Sequence, residues 1–307
     1  MRISRRTIIH LFIALAATVI TALLSAWWQR SYWVDLYPPL CSSGLLVSGE
    51  NPYSTCYTDY HGRPGAPYPL TTLIAFLPFS LLPGPYLGAA VIWGLFNGLL
   101  VYGLLLKGKP WLWLLFLSAP YWTSFAYHQF SPLIAAVYLL PALLPLALIK
   151  PQIGAPVILS QLTWRRLIAV LLFIALTFIV YPGWLPAWFG SARNYDGAIP
   201  LLLLPLSLLL LPFIVKFRDP EVRFVLLMAC VPQRSLYDLT ALYLLPRNLK
   251  HMLALCYLGW VAFLPLLFSD YWRIPANEVK LSILFVYLPL LLMLLLRHPE
   301  TSGEQVV

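Results

Sequence analysis

Long apolar runs, broken at irregular intervals by short polar segments, make up most of the chain. The runs are rich in Leu and continuous, as in residues 70–106, 166–182 and 252–268, and they do not alternate apolar with polar positions. A membrane β-barrel needs a period of two residues, whereas continuous apolar runs are what helices surrounded by lipid require. The pattern therefore predicts an all-α integral membrane protein with a single transmembrane domain over residues 1–307.

Pro, Gly and charged residues divide these runs into about 10 to 12 predicted membrane segments, several of them short or broken. Residues 70–106 are interpreted as two spans that turn at Pro83-Gly84-Pro85, since these residues cannot continue a helix. The composition agrees, with 61% hydrophobic and 10% charged residues, against about 25% charged residues in soluble domains.

Basic residues set the predicted topology. Arg2, Arg5 and Arg6 precede the first apolar run, which is long enough to be a retained span and not only a secretory signal. The positive-inside rule then places both termini in the cytoplasm and residues 29–68 and 183–197 outside a plasma membrane. The same count puts Lys107 and Lys109 outside and His128 inside.

The net charge of +9 is explained by Lys and Arg at span ends beside anionic lipid. We therefore expect membrane lipids as partners and no nucleic acid.

Residues 231–238 are predicted to form the polar tip of a broken helix pair. The apolar stretch around them has about 23 residues, where two full spans need about 40. Ionisable groups at membrane depth are costly, so Arg234 and Asp238 are functional candidates. The alternative is a structural clamp, in which the two side chains pair four positions apart on one helical turn. The two interpretations are compatible.

Two further charged residues are candidates. Asp35 follows the first run among aromatic residues, where a carboxylate could act as a general base with a pKa raised by desolvation. Lys150, followed by Pro151-Gln152, is a second possible membrane-depth cation. The simpler alternatives are a solvated acid at a helix end and a Lys that extends to the interface.

Cysteine and histidine positions add two expectations. Cys41 and Cys56 share the first outer segment, where an oxidising compartment would permit a disulfide. The five His residues are scattered and Asp59-x-His61 is too sparse for a ligand set, so we expect no metal.

The order of motifs from Asp35 onward resembles a known family. Asp35 and Tyr37, then Gly49-Glu50-Asn51-Pro52-Tyr53, then Tyr68-Pro69 at the start of the next run, resemble the first outer loop of the GT-C superfamily of membrane glycosyltransferases. Closest are the polyprenol-phosphate-mannose-dependent mannosyltransferases. The chain departs from their pattern at Leu70, where a second Pro is usual, and at His128-Gln129-Phe130-Ser131, in place of a GQxN element. We assign His128 no role in the site.

This resemblance implies a GT-C-like bundle whose first outer loop contains interfacial helices. It also implies transfer of a sugar, expected to be mannose, from a polyprenyl-phosphate donor to a glycan, glycolipid or protein acceptor, with inversion and without a cofactor. Asp35 would be the general base, and Arg234, with Lys150 in reserve, would bind the lipid phosphate. The expected substrate-binding residues are Tyr37, Asn51, Tyr53, Tyr68, Gln152, Gln233, Tyr237 and Asp238.

Two other functions remain open at this point. A non-catalytic GT-C-like subunit of a membrane complex is compatible with the short chain. A transporter for a lipid or small anion is compatible with short broken helices, although the two halves share no matching pair of motifs.

Overall fold

A computed structural model describes residues 4–30, 34–54, 56, 68–193 and 196–296. These residues form helices and no strand, with one isolated antiparallel bridge between Ala198 and Gln233. The α-helices are α1 Arg5–Trp28, α2 Tyr37–Val47, α3 Leu70–Ser80, α4 Pro85–Lys107, α5 Ala119–Tyr127, α6 Ser131–Leu139, α7 Pro151–Gln161, α8 Trp164–Val180, α9 Trp184–Ala192, α10 Pro220–Ala229, α11 Leu249–Phe268, α12 Pro275–Ser282 and α13 Leu288–Leu295. The prediction of an all-α protein is confirmed for the described residues.

Four helical segments in the described residues are long and apolar enough to cross a membrane. They are α1, α4, α11 and the continuous stretch Pro275–Leu295, which joins α12 to α13 through a π-helical turn. Helices α8 and α9 add a fifth if they are taken as one segment bent by 92°. The chain is thus a multi-pass membrane protein, but most of the 10 to 12 predicted segments are not long helices.

Several of the remaining apolar runs form 3₁₀ helices. The bounds are Pro110–Leu117, Pro141–Ile149, Pro200–Leu202, Leu206–Leu209, Leu211–Lys216, Leu236–Leu244 and Asp270–Arg273. A 3₁₀ helix rises about 2.0 Å per residue, so eight or nine residues extend about 16 to 18 Å. The three longest of these helices, Pro110–Leu117, Pro141–Ile149 and Leu236–Leu244, therefore reach into the core with fewer residues than an α-helix needs.

A seam of small residues joins α1 to α4. A Cβ added at Gly94 would meet Ala22 and the Thr18 carbonyl, and one added at Gly98 would meet the Thr18 hydroxyl and the Ala14 carbonyl. Small residues let two membrane helices approach this closely. As the contact on α4 advances along the chain, the contact on α1 moves backwards, so the two helices are antiparallel.

The direction of α4 corrects the predicted topology. Lys107, the last residue of α4, lies toward the N-terminal end of α1, here called the Arg5 end of the bundle. The prediction that Lys107 and Lys109 lie on the side opposite Arg5 is therefore wrong. The opposite end, beyond Trp28, is called the Asp35 end.

Helix α3 is the reason why the predicted side of Lys107 and Lys109 is wrong. It has 11 residues, and the Phe79 carbonyl near its end lies against Gly88, about two turns before Gly94 and thus at the Asp35 end. Gly84 has a φ of 82° and lets the chain turn directly into α4. Helix α3 begins and ends at the same side of the bundle, and the prediction that it is a full span is wrong.

The placement of His128 changes for the same reason. The chain runs along α4 to the Arg5 end and returns through the 3₁₀ helix Pro110–Leu117 and α5. There the Asp35 amide donates to the Tyr127 carbonyl (2.9 Å), and His128 Nε2 lies 2.6 Å from the Ser25 hydroxyl. His128 therefore lies at the Asp35 end, and its predicted position on the Arg5 side is wrong.

Two short helices, α2 and α3, lie at the Asp35 end, and α2 is the helix within the described part of the segment 29–68. Helix α2 packs on α3, and the Ser43 hydroxyl donates to the Leu73 carbonyl (3.0 Å). Cys41 and Cys56 form a disulfide that ties the loop after α2 back to that helix. Residues 31–33, 55 and 57–67 of this segment lie outside the described residues.

Candidate functional site

Four polar side chains from distant parts of the sequence meet inside the Asp35 end. Lys150 Nζ donates to Asp238 Oδ1 (2.7 Å) and to Gln129 Oε1 (3.0 Å), and Gln129 Nε2 donates to Asp35 Oδ2. Gln129, Lys150 and Asp238 are buried, whereas Asp35 is partly exposed. We call these four side chains the polar network. It connects a buried ion pair to a carboxylate that a ligand can reach.

Asp35 is fixed through its backbone. It lies in the turn between α1 and α2, where its amide bonds to the Tyr127 carbonyl and its own carbonyl accepts from the Tyr68 hydroxyl at 3.3 Å. Among the described residues, Gln129 is the one side chain that donates to the Asp35 carboxylate. The carboxylate is thus oriented by one donor and keeps acceptor capacity for a ligand.

Gln129 lies in the tight turn between α5 and α6. His128 adopts the left-handed conformation (φ 50°), and the Gln129 amide donates to the Ser124 carbonyl (2.9 Å). A positive φ reverses the chain in few residues. The turn therefore directs the Gln129 side chain toward Asp35 and Lys150 while His128 packs on the Trp93 ring, 4.9 Å between centroids.

Lys150 lies at the junction of the 3₁₀ helix Pro141–Ile149 and α7. The Thr71 and Thr72 hydroxyls of α3 donate to the Leu148 and Ile149 carbonyls (2.6 and 2.5 Å), which holds this junction beside Asp35. The Lys150 ammonium also lies 4.7 Å from the centre of the Tyr237 ring, a cation–π distance.

The buried Lys150–Asp238 pair changes the interpretation of both residues. The Lys150 side chain is 5% exposed and that of Asp238 is fully buried, so Lys150 does not extend to the interface and that interpretation is wrong. A buried charge must be paired and hydrogen-bonded to be tolerated. Lys150 meets this condition through Asp238, Gln129 and the Tyr237 ring, so it supports the site from within.

Arg234 is the accessible cation of the site. Its backbone amide donates to Asp238 Oδ2 (3.0 Å), but its guanidinium Nε lies 3.5 Å from Asp196 Oδ1, with both of these side chains 43% exposed. The predicted side-chain clamp between Arg234 and Asp238 is wrong. Ser235 is fully extended (φ −159°, ψ 172°), so the residues between them do not form the α-helical turn that such a pairing needs.

A second buried polar group supports the 231–238 turn. Glu278 of α12 accepts from the Leu236 amide (2.6 Å) and from the Ser235 hydroxyl, and Gln233 donates to the Met228 carbonyl (2.7 Å) and to the Tyr287 hydroxyl. The sequence reasoning missed Glu278, although an acid next to the last apolar run was a signal. Gln233, predicted to contact substrate, is fully buried and anchors the turn instead.

The remaining predicted site residues fall into two groups. Tyr68 and Tyr237 border the polar network, and Gln152 follows Lys150 in the first turn of α7. Tyr37 is buried and donates to Gln29, Asn51 is exposed and accepts from the Tyr53 amide, and Tyr53 packs with Leu70, Leu73 and Trp184 in a separate cluster. The structure does not bring this second group to the polar network.

Desolvation of Asp35 favours proton transfer to its carboxylate. Asp35 lies outside the long apolar helices, and burial raises its pKa above the ordinary value, against the lowering effects of Arg234, Lys150 and the Gln129 hydrogen bond. A carboxylate with a raised pKa is a stronger base, which suits removal of a proton from a hydroxyl near neutral pH.

Gln129 is the main residue that the sequence reasoning missed. The segment His128-Gln129-Phe130-Ser131 stands where the resembled family has a GQxN element, but the predicted span count places it at the other side of the membrane. The matching Gln was the available signal.

Within the described residues, no group of three or more His, Cys, Asp or Glu side chains could hold a metal ion. Comparisons with protein-family models, curated proteins and solved structures find no match.

Proposed function

We propose that the protein is a membrane glycosyltransferase that moves a sugar from a polyprenyl-phosphate donor to a hydroxyl group of an acceptor, with Asp35 as general base. The observation that carries this proposal is the partly exposed Asp35 carboxylate, which the buried polar network holds and which interacts electrostatically with the accessible guanidinium of Arg234. The motif resemblance to the polyprenol-phosphate-mannose-dependent mannosyltransferases supports it and suggests mannose as the sugar.

The two charged groups match the two needs of the reaction. The acceptor oxygen forms a bond to the anomeric carbon as the bond from that carbon to the phosphate oxygen breaks. The hydroxyl proton passes to the Asp35 carboxylate, and the departing lipid phosphate carries negative charge that Arg234 stabilises. A single displacement of this kind inverts the configuration at the anomeric carbon.

The polar network accounts for the position of the base. Gln129 accepts from Lys150 with its carbonyl oxygen and therefore presents its NH₂ group to Asp35. Lys150 is fixed in turn by Asp238. Asp238 also accepts from the Arg234 amide, so the same carboxylate links the positions of the base and of the accessible cation.

The corrected helix directions support a site on the outer face of a plasma membrane. Lys107 and Lys109 now lie at the same end as Arg5 and Arg6, which strengthens the basic character of that end. By the positive-inside rule this end is cytoplasmic. The Asp35 end then faces outward, with a glycan, glycolipid or protein as acceptor.

The test is transfer of radiolabelled mannose from a synthetic short-chain polyprenyl-phosphate mannose to acceptors in native membrane extract. We expect transfer by the wild-type protein and none by Asp35→Asn. Asp270→Asn is the matched control, because Asp270 is 92% exposed and pairs with Arg273 at 3.0 Å. If Asp35→Asn transfers as well as wild type, Asp35 is not the base. Donor binding without transfer by any variant would favour a transporter or a non-catalytic subunit.

A further inference from the structure

The Arg234–Asp196 ion pair lies where the proposed function needs a free cation. Arg234 Nε and Asp196 Oδ1 are 3.5 Å apart, and each side chain keeps 43% of its surface exposed. Among the described residues, Arg234 forms no other ion pair. The accessible cation of the site is therefore already paired with an anion from the protein itself.

The backbone positions Asp196 for this contact. The Ala198 amide donates to the Gln233 carbonyl (2.7 Å), and the Gln233 amide donates to the Ala198 carbonyl (2.8 Å). Gln233 is fully buried and bonded to Met228 and Tyr287, so the bridge attaches the segment carrying Asp196 to a fixed part of the core. The carboxylate is held close to Arg234 while its side chain remains in solvent.

A pair with this exposure is easily exchanged. Exposed ion pairs contribute about 0 to 1 kcal/mol, because water competes for both groups. A phosphate presents several acceptor oxygens to the planar guanidinium and can bind it through two parallel hydrogen bonds. An incoming phosphate next to an intact pair would meet two carboxylates, Asp196 and Asp35, so the phosphate binds best when Asp196 leaves Arg234.

We propose that Asp196 occupies the anion position of Arg234 in the ligand-free protein and is displaced by the phosphate of a polyprenyl-phosphate ligand. The inference rests on the proposed function and adds a competing internal anion to it. The exchange replaces one anion beside Arg234 with another, and Asp196 returns to Arg234 when the lipid phosphate leaves. It therefore lowers affinity for the ligand and speeds its release.

The experiment measures the dissociation constant (Kd) of a fluorescent short-chain polyprenyl phosphate, without sugar, for the full chain in lipid nanodiscs. Wild type, Asp196→Asn, Arg234→Gln and the double variant are compared, with Asp270→Asn as the control for loss of an exposed, paired acid. We expect Asp196→Asn to bind about two- to fivefold more tightly, the range that an exposed ion pair can supply. Arg234→Gln should bind weakly. Unphosphorylated polyprenol should bind all variants equally.

The double variant separates competition for Arg234 from general repulsion. If Asp196 competes for the guanidinium, Asp196→Asn should give no gain when Arg234 is already Gln. An equal gain in both backgrounds, or unchanged affinity in Asp196→Asn, would overturn the inference while leaving the transfer reaction intact. A gain in binding by a protein that transfers no sugar would support the exchange and count against the proposed function. If neither wild type nor Asp196→Asn binds the lipid, this inference and the proposed function are both overturned.

Discussion

The two ion pairs at the Asp35 end differ in burial, and this difference separates two tasks. Lys150 and Asp238 are 2.7 Å apart with 5% and 0% of their side chains exposed, whereas Arg234 and Asp196 are 3.5 Å apart with 43% of each exposed. Water screens the second pair and not the first. The buried pair holds other groups in place, and the exposed pair can be exchanged for a ligand.

The two ion pairs are joined through one residue, Asp238. Asp238 binds Lys150 with one carboxylate oxygen and the Arg234 amide with the other. The buried pair thus fixes the backbone from which the exposed pair extends. Disrupting the first should disturb the second, whereas disrupting the second should leave the first intact.

The largest effect is expected from Lys150→Met. Removal of one partner leaves the Asp238 carboxylate buried without a counter-charge, which costs about 3 to 5 kcal/mol of folding free energy. Thermal unfolding in detergent should show a large drop in midpoint temperature. Lys216→Met, the same change at an exposed Lys, should have little effect.

A double variant sharpens this test. Lys150→Met with Asp238→Leu replaces the pair with apolar groups and should regain much of the lost stability, yet it should not restore transfer, because Gln129 and Arg234 lose their partners. Equal stability of the single and double variants would show that the unpaired Asp238 charge is not what destabilises Lys150→Met.

An intermediate effect is expected from Gln129→Leu. The change removes the donor to Asp35 and an acceptor of Lys150, at a cost of about 1 to 3 kcal/mol for the buried group left unpaired. Since the Gln129 hydrogen bond lowers the pKa of Asp35, its loss should raise that pKa further. The base is active when deprotonated, so the acidic limb of the pH–rate profile should move to higher pH.

The matched control for Gln129→Leu is Gln161→Leu, which also removes a hydrogen bond, to the Tyr138 carbonyl, but lies outside the polar network. It should lower stability without moving the pH profile. A Gln129→Leu profile that coincides with that of wild type would mean that Gln129 only supports packing and does not position the base.

These residues also show what the sequence could and could not predict. Continuous apolar runs sufficed for the all-α membrane fold, because the need to satisfy the backbone in lipid acts on each run separately. The span count failed at α3, because its 11 residues and the turn at Gly84 matter only in relation to α1 and α4. That one error also moved Lys107, Lys109 and His128 to the wrong ends.

The site was predictable residue by residue but not as a set of contacts. Lys150, Arg234 and Asp238 are candidates because charge is costly at membrane depth, whereas Asp35 is a candidate through its aromatic surroundings and the motif order that resembles the GT-C first outer loop. Their pairing was not predictable, because Lys150 and Asp238 are 88 positions apart and local spacing suggested Arg234 as the partner of Asp238. Gln129 carries no charge, so this cost argument could not select it.

The smallest effect on stability is expected from Arg234→Gln. This variant tests whether the exposed ion pair contributes little to folding. The guanidinium is 43% exposed and its pair with Asp196 is open to water, so its loss should cost at most about 1 kcal/mol. The backbone contact from residue 234 to Asp238 remains, because a Gln at this position keeps its amide. Thermal unfolding of Arg234→Gln should therefore resemble that of wild type, while binding of polyprenyl phosphate is weakened. Destabilisation as large as that of Lys150→Met would mean that Arg234 is a structural clamp after all, and that the two pairs do not divide their tasks.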